Sequence, residues 1–236
     1  AIHVEEPAPL TPQTQPAADT GPDQHLPQGG PYGLIGRRAE LRLLERTFQS
    51  QPVVLMSGNT GSGKTELALG LARWIQKTGA RPGGVFYTTF QVGAGMERVV
   101  HEIGTAVAGL PFADLSAPNQ RQWVVEYLQE QPSLIIWDAL QHAGGNTVED
   151  NTGILDRAEL EELDAFLADA IVGGQSWALL VSRRPEEPWL ATPHQTYQLP
   201  PMGQDDRMEL ACKIQENTGP SDLTPGEQAD NQLGLP

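Results

Sequence analysis

Apolar residues along the chain follow two rhythms that take turns. Leu41, Leu44 and Phe48 recur at helical spacing and predict a helix that opens at Gly36-Arg37-Arg38-Ala39-Glu40-Leu41. Pro52-Val53-Val54-Leu55-Met56 is a short continuous apolar run, the pattern of a strand buried on both faces. A helix from about Lys64 to Lys77 follows, and Gly79 is placed to end it. Val85-Phe86-Tyr87-Thr88-Thr89-Phe90 reads as a second strand. Glu97–Ala108 and Asn119–Gln131 read as helices, the latter with Asn119 and Gln122 as a capping box. Leu134-Ile135-Ile136-Trp137 reads as a third strand. Leu160, Leu163, Leu167 and Ile171 form one face of a helix over Asp156–Ile171, started by Asp156 with Glu159. Trp177-Ala178-Leu179-Leu180-Val181 reads as a fourth strand and Thr196–Leu199 as a fifth, before a helix around Asp205–Gln215. Strands alternating with helices predict an α/β fold, with a mostly parallel five-stranded sheet between helices.

The ends of the chain break this rhythm. Residues 1–31 carry Pro7, Pro9, Pro12, Pro16, Pro22, Pro27 and Pro31 and no apolar period. Such a segment buries too little surface to offset its ordering entropy, so a disordered Pro-rich linker is expected over 1–31. A flexible tail is expected over 218–236, leaving 32–217 as one domain.

The formal net charge of the 236 residues is −15, but it is unevenly placed. Residues 32–143 hold ten basic and nine acidic side chains, whereas residues 144–176 hold one against eight. The overall surplus of acid predicts no nucleic-acid partner and no anionic-membrane partner, because phosphate attraction needs surplus Lys and Arg. No uncharged stretch reaches the roughly 18–20 residues that span a bilayer, and the apolar stretch Ile103–Ala113 falls well short of it. Cys212 is the single cysteine, which excludes an intrachain disulfide. No basic and then apolar leader opens the sequence, so a cytoplasmic, reducing compartment is expected.

The chemistry begins between the first strand and the second helix. Gly58-Asn59-Thr60-Gly61-Ser62-Gly63-Lys64-Thr65 matches G-x-x-x-x-G-K-[ST] fully and leads on into Glu66. Its glycines let the backbone curl so that successive N–H groups face phosphate oxygens. The following helix N-terminus adds partial positive charge. Lys64 is a point cation for the β- and γ-phosphates, and the Thr65 hydroxyl is a hard oxygen ligand for Mg²⁺. A dinucleotide site is set aside because the third glycine of G-x-G-x-x-G is missing. No Asn-Lys-x-Asp run exists to select guanine.

Asp138 closes the third strand after four apolar residues, the position of an acid that holds the hydration shell of Mg²⁺ opposite Thr65. The residues after it are Ala139, Leu140, Gln141 and His142. Neither Ala nor Leu does acid–base work, so slow turnover is expected, or turnover that depends on a group supplied elsewhere. Val181-Ser182-Arg183-Arg184 ends the fourth strand, where Arg183 reaches toward a γ-phosphate and reports its presence. Lys64, Asp138 and Arg183 are thus the candidate catalytic set.

The order Leu34-Ile35-Gly36-Arg37-Arg38-Ala39-Glu40-Leu41, P-loop, Leu134–Asp138, Trp177–Arg184 and Tyr197-Gln198-Leu199-Pro200 resembles a known group. It is similar to the nucleotide-binding domain of signal-transduction ATPases with numerous domains (STAND, the NB-ARC and NACHT type). The resemblance is greatest to bacterial members with CHAT or tetratricopeptide modules and covers about residues 32–217. It implies a P-loop NTPase fold and a Mg²⁺-dependent switch between ADP and ATP. Ile35, Gly36 and Arg37 would border adenine and ribose, Gly58–Glu66 would hold the phosphates, and Thr65 and Asp138 would hold the metal. It implies homo-oligomer assembly on activation, with sensor and effector domains outside this chain. Relatives usually read Asp-Asn or Asp-Asp at Asp138-Ala139, and often Glu where Gln141 stands, which again predicts slow or impaired hydrolysis. Two other readings stay open: a conventional P-loop enzyme, either an ATP-driven motor or a kinase, and a nucleotide-binding module without turnover.

Overall fold

The computed structural model describes residues 26–92, 94–144 and 155–217. The expected linker over 1–31 and tail over 218–236 lie wholly or mostly outside these residues. In chain order the elements are α1 (Arg38–Ser50), β1 (Val53–Ser57), α2 (Lys64–Thr78), β2 (Val85–Thr89), α3 (Met96–Ala108), α4 (Ala117–Glu130), β3 (Leu134–Asp138), α5 (Arg157–Ile171), β4 (Trp177–Val181), β5 (Gln195–Gln198) and α6 (Gln204–Asn217). Short 3-10 turns at Leu110–Asp114 and Leu140–His142 join α3 to α4 and follow β3.

The five strands form one sheet in the order β2-β3-β4-β1-β5, and every pairing is parallel. The three central strands β1, β3 and β4 are nearly continuous apolar runs because both faces are covered, whereas the edge strand β5 reads Gln-Thr-Tyr-Gln and is mostly exposed. β1 and β3 are buried along their full length. Alternation divides their side chains between two cores. Leu55, Phe86, Ile135, Trp137 and Leu180 pack with the apolar faces of α3, α4 and α5. Val54, Met56, Val85, Ile136, Leu179 and Val181 pack with those of α1 and α2. Tyr87 and Asp138 lie in phase with this second set, two residues past Val85 and Ile136, so both face the α2 side.

Sequence order and sheet order differ at β4, which is inserted between β1 and β3. The carboxyl ends of β1, β3 and β4 therefore stand side by side, where the ends of parallel strands open a crevice. At α5 the box of Asp156 and Glu159 is formed, each side chain accepting from the other residue's backbone N–H at 2.9 and 2.8 Å. The box expected at Asn119 and Gln122 is not. α4 starts earlier, after extended Ser116, with proline in its first turn. Pro118 needs no N–H partner there and has its φ preset for a helix, so Asn119 falls inside the helix rather than ahead of it.

Candidate functional site

The turn between β1 and α2 wraps around Lys64. Gly61 and Gly63 have φ of 76° and 87°, and a side chain at either would be strained. Gly63 precedes α2 without any side-chain cap, so the first amides of the helix are left to a ligand of opposite charge. The Lys64 Nζ donates to the Gly58 and Asn59 carbonyls, both at 2.8 Å. The ammonium is thus folded over the loop, with one of its three protons left for a phosphate oxygen. Burial, then the charge of Arg183, hold its pKa below the ordinary lysine value, while Asp138 pulls it back up. Two cations drawn to one crevice are a site for an anion.

The structure brings Thr65 to Asp138 across 73 positions of sequence. The Thr65 Oγ1 donates to Asp138 Oδ2 at 2.8 Å. The Tyr87 hydroxyl, which the sequence reading treats only as part of a strand, donates to the same oxygen at 2.7 Å. The Ala139 N–H donates to Oδ1 at 2.8 Å. A hydroxyl beside a carboxylate is a hard oxygen pair that fits Mg²⁺. Among the described residues no cluster of three or more His, Cys, Asp or Glu could hold a metal. One carboxylate and one hydroxyl, completed by phosphate oxygens and water, suit Mg²⁺ better than an all-protein cage.

Ala139 stands at φ 63°, one of two non-glycine residues with positive φ among those described. That conformation costs roughly 1–2 kcal/mol for an L-residue, whereas the entropic penalty of glycine is about 0.5–1 kcal/mol. Ala139→Gly is therefore expected to raise stability by about 0.5 kcal/mol, read as a higher midpoint in denaturant unfolding. A lower midpoint would mean that Ala139 carries no backbone strain.

Arg183 and its turn are braced from both sides. Its backbone N–H donates to the Gln141 Oε1 at 3.2 Å. Ser182 donates its hydroxyl to Glu187 and accepts the Arg184 N–H at 3.1 Å. Glu187 is buried, and burial raises its pKa against the opposing pull of Ser182, Arg184 and Trp189. The Arg183 side chain remains exposed at the crevice.

The three residues of the expected nucleotide border are held by contacts within the protein. Ile35 is buried. Gly36 faces Asp206 of α6 so closely that a Cβ would collide with its carboxylate. Arg37, also at positive φ, is buried and donates to Glu40 at 2.9 Å, the Pro200 carbonyl at 2.8 Å and the Ser62 carbonyl at 3.0 Å. It ties the entry segment to the phosphate loop and to the chain after β5. Glu66 turns away from the loop, and its Oε1 accepts the Gly30 N–H at 2.7 Å.

Tyr87 could have been found from strand parity, which puts it on the Asp138 face once β2 and β3 are known to be neighbours. The bracing by Glu187 left no motif at all.

A family model described as "AAA domain" matches residues 33–185. The Aeropyrum pernix ORC1 protein, solved in complex with DNA, superposes with a TM-score of 0.54 at 21% identity, covering 85% of this chain and 55% of that one. A STAND protein with a tetratricopeptide repeat sensor from Pyrococcus horikoshii superposes at 0.52 and 14% identity, covering 87% of this chain and 28% of that one. The Walker-type ATPase of Pyrococcus abyssi superposes at 0.55 and 13% identity, covering 89% and 66%. The chain thus spans from about a quarter to two thirds of the length of these proteins. No curated protein matches the sequence.

One expectation is corrected by these likenesses. Net acidity predicts no nucleic-acid partner, yet a protein of this fold is solved bound to DNA. The physical fault lies in reading a whole-chain charge as the charge of every face. The −15 comes largely from residues outside 32–143, which hold ten basic against nine acidic side chains. Among the described residues, no helix is long and apolar enough to cross a membrane.

Proposed function

The chain belongs to the AAA domain family, and from that premise we propose that residues 32–217 form the nucleotide-binding domain of a STAND-type regulatory switch. The observation that carries this reading is the contact of Thr65 with Asp138 at the mouth of the phosphate loop. In the proposal Gly58–Thr65 cradle the phosphates of ATP or ADP, and Lys64 neutralises the β- and γ-phosphates. Thr65 and Asp138 hold Mg²⁺, which supplies charge neutralisation between those phosphates. Arg183 answers to the γ-phosphate, and its turn is anchored to Gln141, in the loop that follows Asp138. A change at the γ-phosphate thus has a direct route between the two strand ends. Assembly into a homo-oligomer and the sensor and effector functions belong to the same proposal.

Slow hydrolysis follows from the residues after Asp138. Ala139 and Leu140 are buried and carry no acid, and the Gln141 carbonyl oxygen is engaged by Arg183. None of the three holds a base toward an attacking water. A positioned general base is worth roughly 10²- to 10⁴-fold. Ala139→Asp or Gln141→Glu is therefore expected to raise single-turnover ATP hydrolysis by about tenfold or more, with nucleotide identity followed by chromatography. Co-purification of ADP and slow wild-type turnover support the switch. Rapid multiple turnover by the wild type would favour a motor or kinase, and undetectable hydrolysis in all three proteins a binding module without turnover.

A further inference from the structure

Tyr87 has no task in the nucleotide reading so far, yet its hydroxyl lies on the carboxylate at the centre of it. We propose that Tyr87 is a positioning residue that fixes which oxygen of Asp138 is presented to the metal, and so sets the Mg²⁺ requirement for nucleotide binding. The inference rests on the nucleotide reading above.

The argument is one of lone pairs. A carboxylate offers about four acceptor sites, two on each oxygen. Oδ2 accepts from Thr65 at 2.8 Å and from Tyr87 at 2.7 Å, which fills it. Oδ1 accepts the Ala139 N–H at 2.8 Å and keeps one site. With Tyr87 in place, a metal-bound water has one acceptor on Asp138, on one oxygen, in one direction. Without the phenol, Oδ2 regains a site and the carboxylate no longer has a single preferred presentation. Preorganised second partners of this kind orient metal-binding carboxylates, and losing one typically costs about 10- to 100-fold in metal affinity.

The position is built for donation. Tyr87 sits on edge strand β2, in register beside Ile136 of β3 and on the same face as Asp138. Its ring packs against the core under α2, so the hydroxyl is delivered by a side chain with little freedom. An ionised carboxylate can only accept, so in this contact the phenol is the donor.

The test is a calorimetric titration of ADP into wild type and Tyr87→Phe, first with excess EDTA and then over a series of MgCl₂ concentrations. Phenylalanine keeps the ring, and a thermal unfolding midpoint checks the fold; should Y87F unfold, the same titration on Tyr87→Leu, which also carries no donor, decides by the same criteria. The expected result is unchanged affinity in EDTA and a roughly tenfold rise in the Mg²⁺ concentration giving half the metal effect. An unshifted Mg²⁺ response overturns the proposal, and so does an equal loss of affinity with and without metal, which would mark a packing role. If wild type binds no ADP under any condition, the nucleotide reading itself falls, and this inference with it.

Discussion

Lys64→Ala is expected to lose ATP and ADP affinity by roughly 10- to 10²-fold in a calorimetric titration. The ammonium is preplaced by the Gly58 and Asn59 carbonyls, so it costs little to order when a phosphate arrives. A hydrogen bond from a charged donor is worth about 1.5–3 kcal/mol, and Lys64 has one proton left for a phosphate oxygen. One such bond corresponds to the stated loss at about 1.4 kcal/mol per tenfold. The fold should tolerate the change at a modest cost: water can reach the carbonyl released at exposed Asn59, while the one at buried Gly58 loses its partner. Unchanged affinity in a folded variant would remove the phosphate loop from the account. An equal loss of AMP binding would place the lysine on the wrong part of the ligand.

What was legible in the sequence was local. The phosphate loop, its strand and its helix are contiguous, and the glycines, Lys64 and Thr65 announce themselves by type and spacing. The cap at Asp156 was legible for the same reason, since all its partners lie within one helical turn. The failures are of two kinds. At Asn119 two local signals competed, and the proline in the first turn displaced the polar cap. At Arg37 and Tyr87 the deciding partners come from distant parts of the chain, Pro200 and Asp138. Strand order decides those contacts. The insertion of β4 between β1 and β3 has no trace in periodicity, because these three strands read as the same apolar run. Likewise, a net charge sums over faces that only the fold separates, which is why it does not exclude nucleic acid.

Arg37 carries the second large effect, and it separates two roles for one residue. If Arg37 only bordered the adenine, removing it would alter base selectivity and leave stability alone. In the structure it is 3% exposed and distributes three hydrogen bonds over Glu40, Pro200 and Ser62. Its positive φ, an unfavourable conformation for an arginine, is held by those bonds. Breaking a buried ion pair by deleting one partner costs about 3–5 kcal/mol. Glu40 keeps a side-chain exposure of 17% and regains some water, so Arg37→Ala is expected near the low end, about 3 kcal/mol. For a domain of this size that is a fall of roughly 6–12 °C in the unfolding midpoint. Arg37→Lys should recover little of it, because a single ammonium cannot span three acceptors that a planar guanidinium reaches together. Nucleotide affinity should fall as well, since the Ser62 carbonyl is part of the phosphate loop and loses the bond that sets its orientation. The double variant Arg37→Ala/Glu40→Ala should be more stable than Arg37→Ala alone, because it removes the orphaned carboxylate. A midpoint unchanged by Arg37→Ala, with ATP preference over GTP lost, would return the residue to the adenine border and deny it the staple.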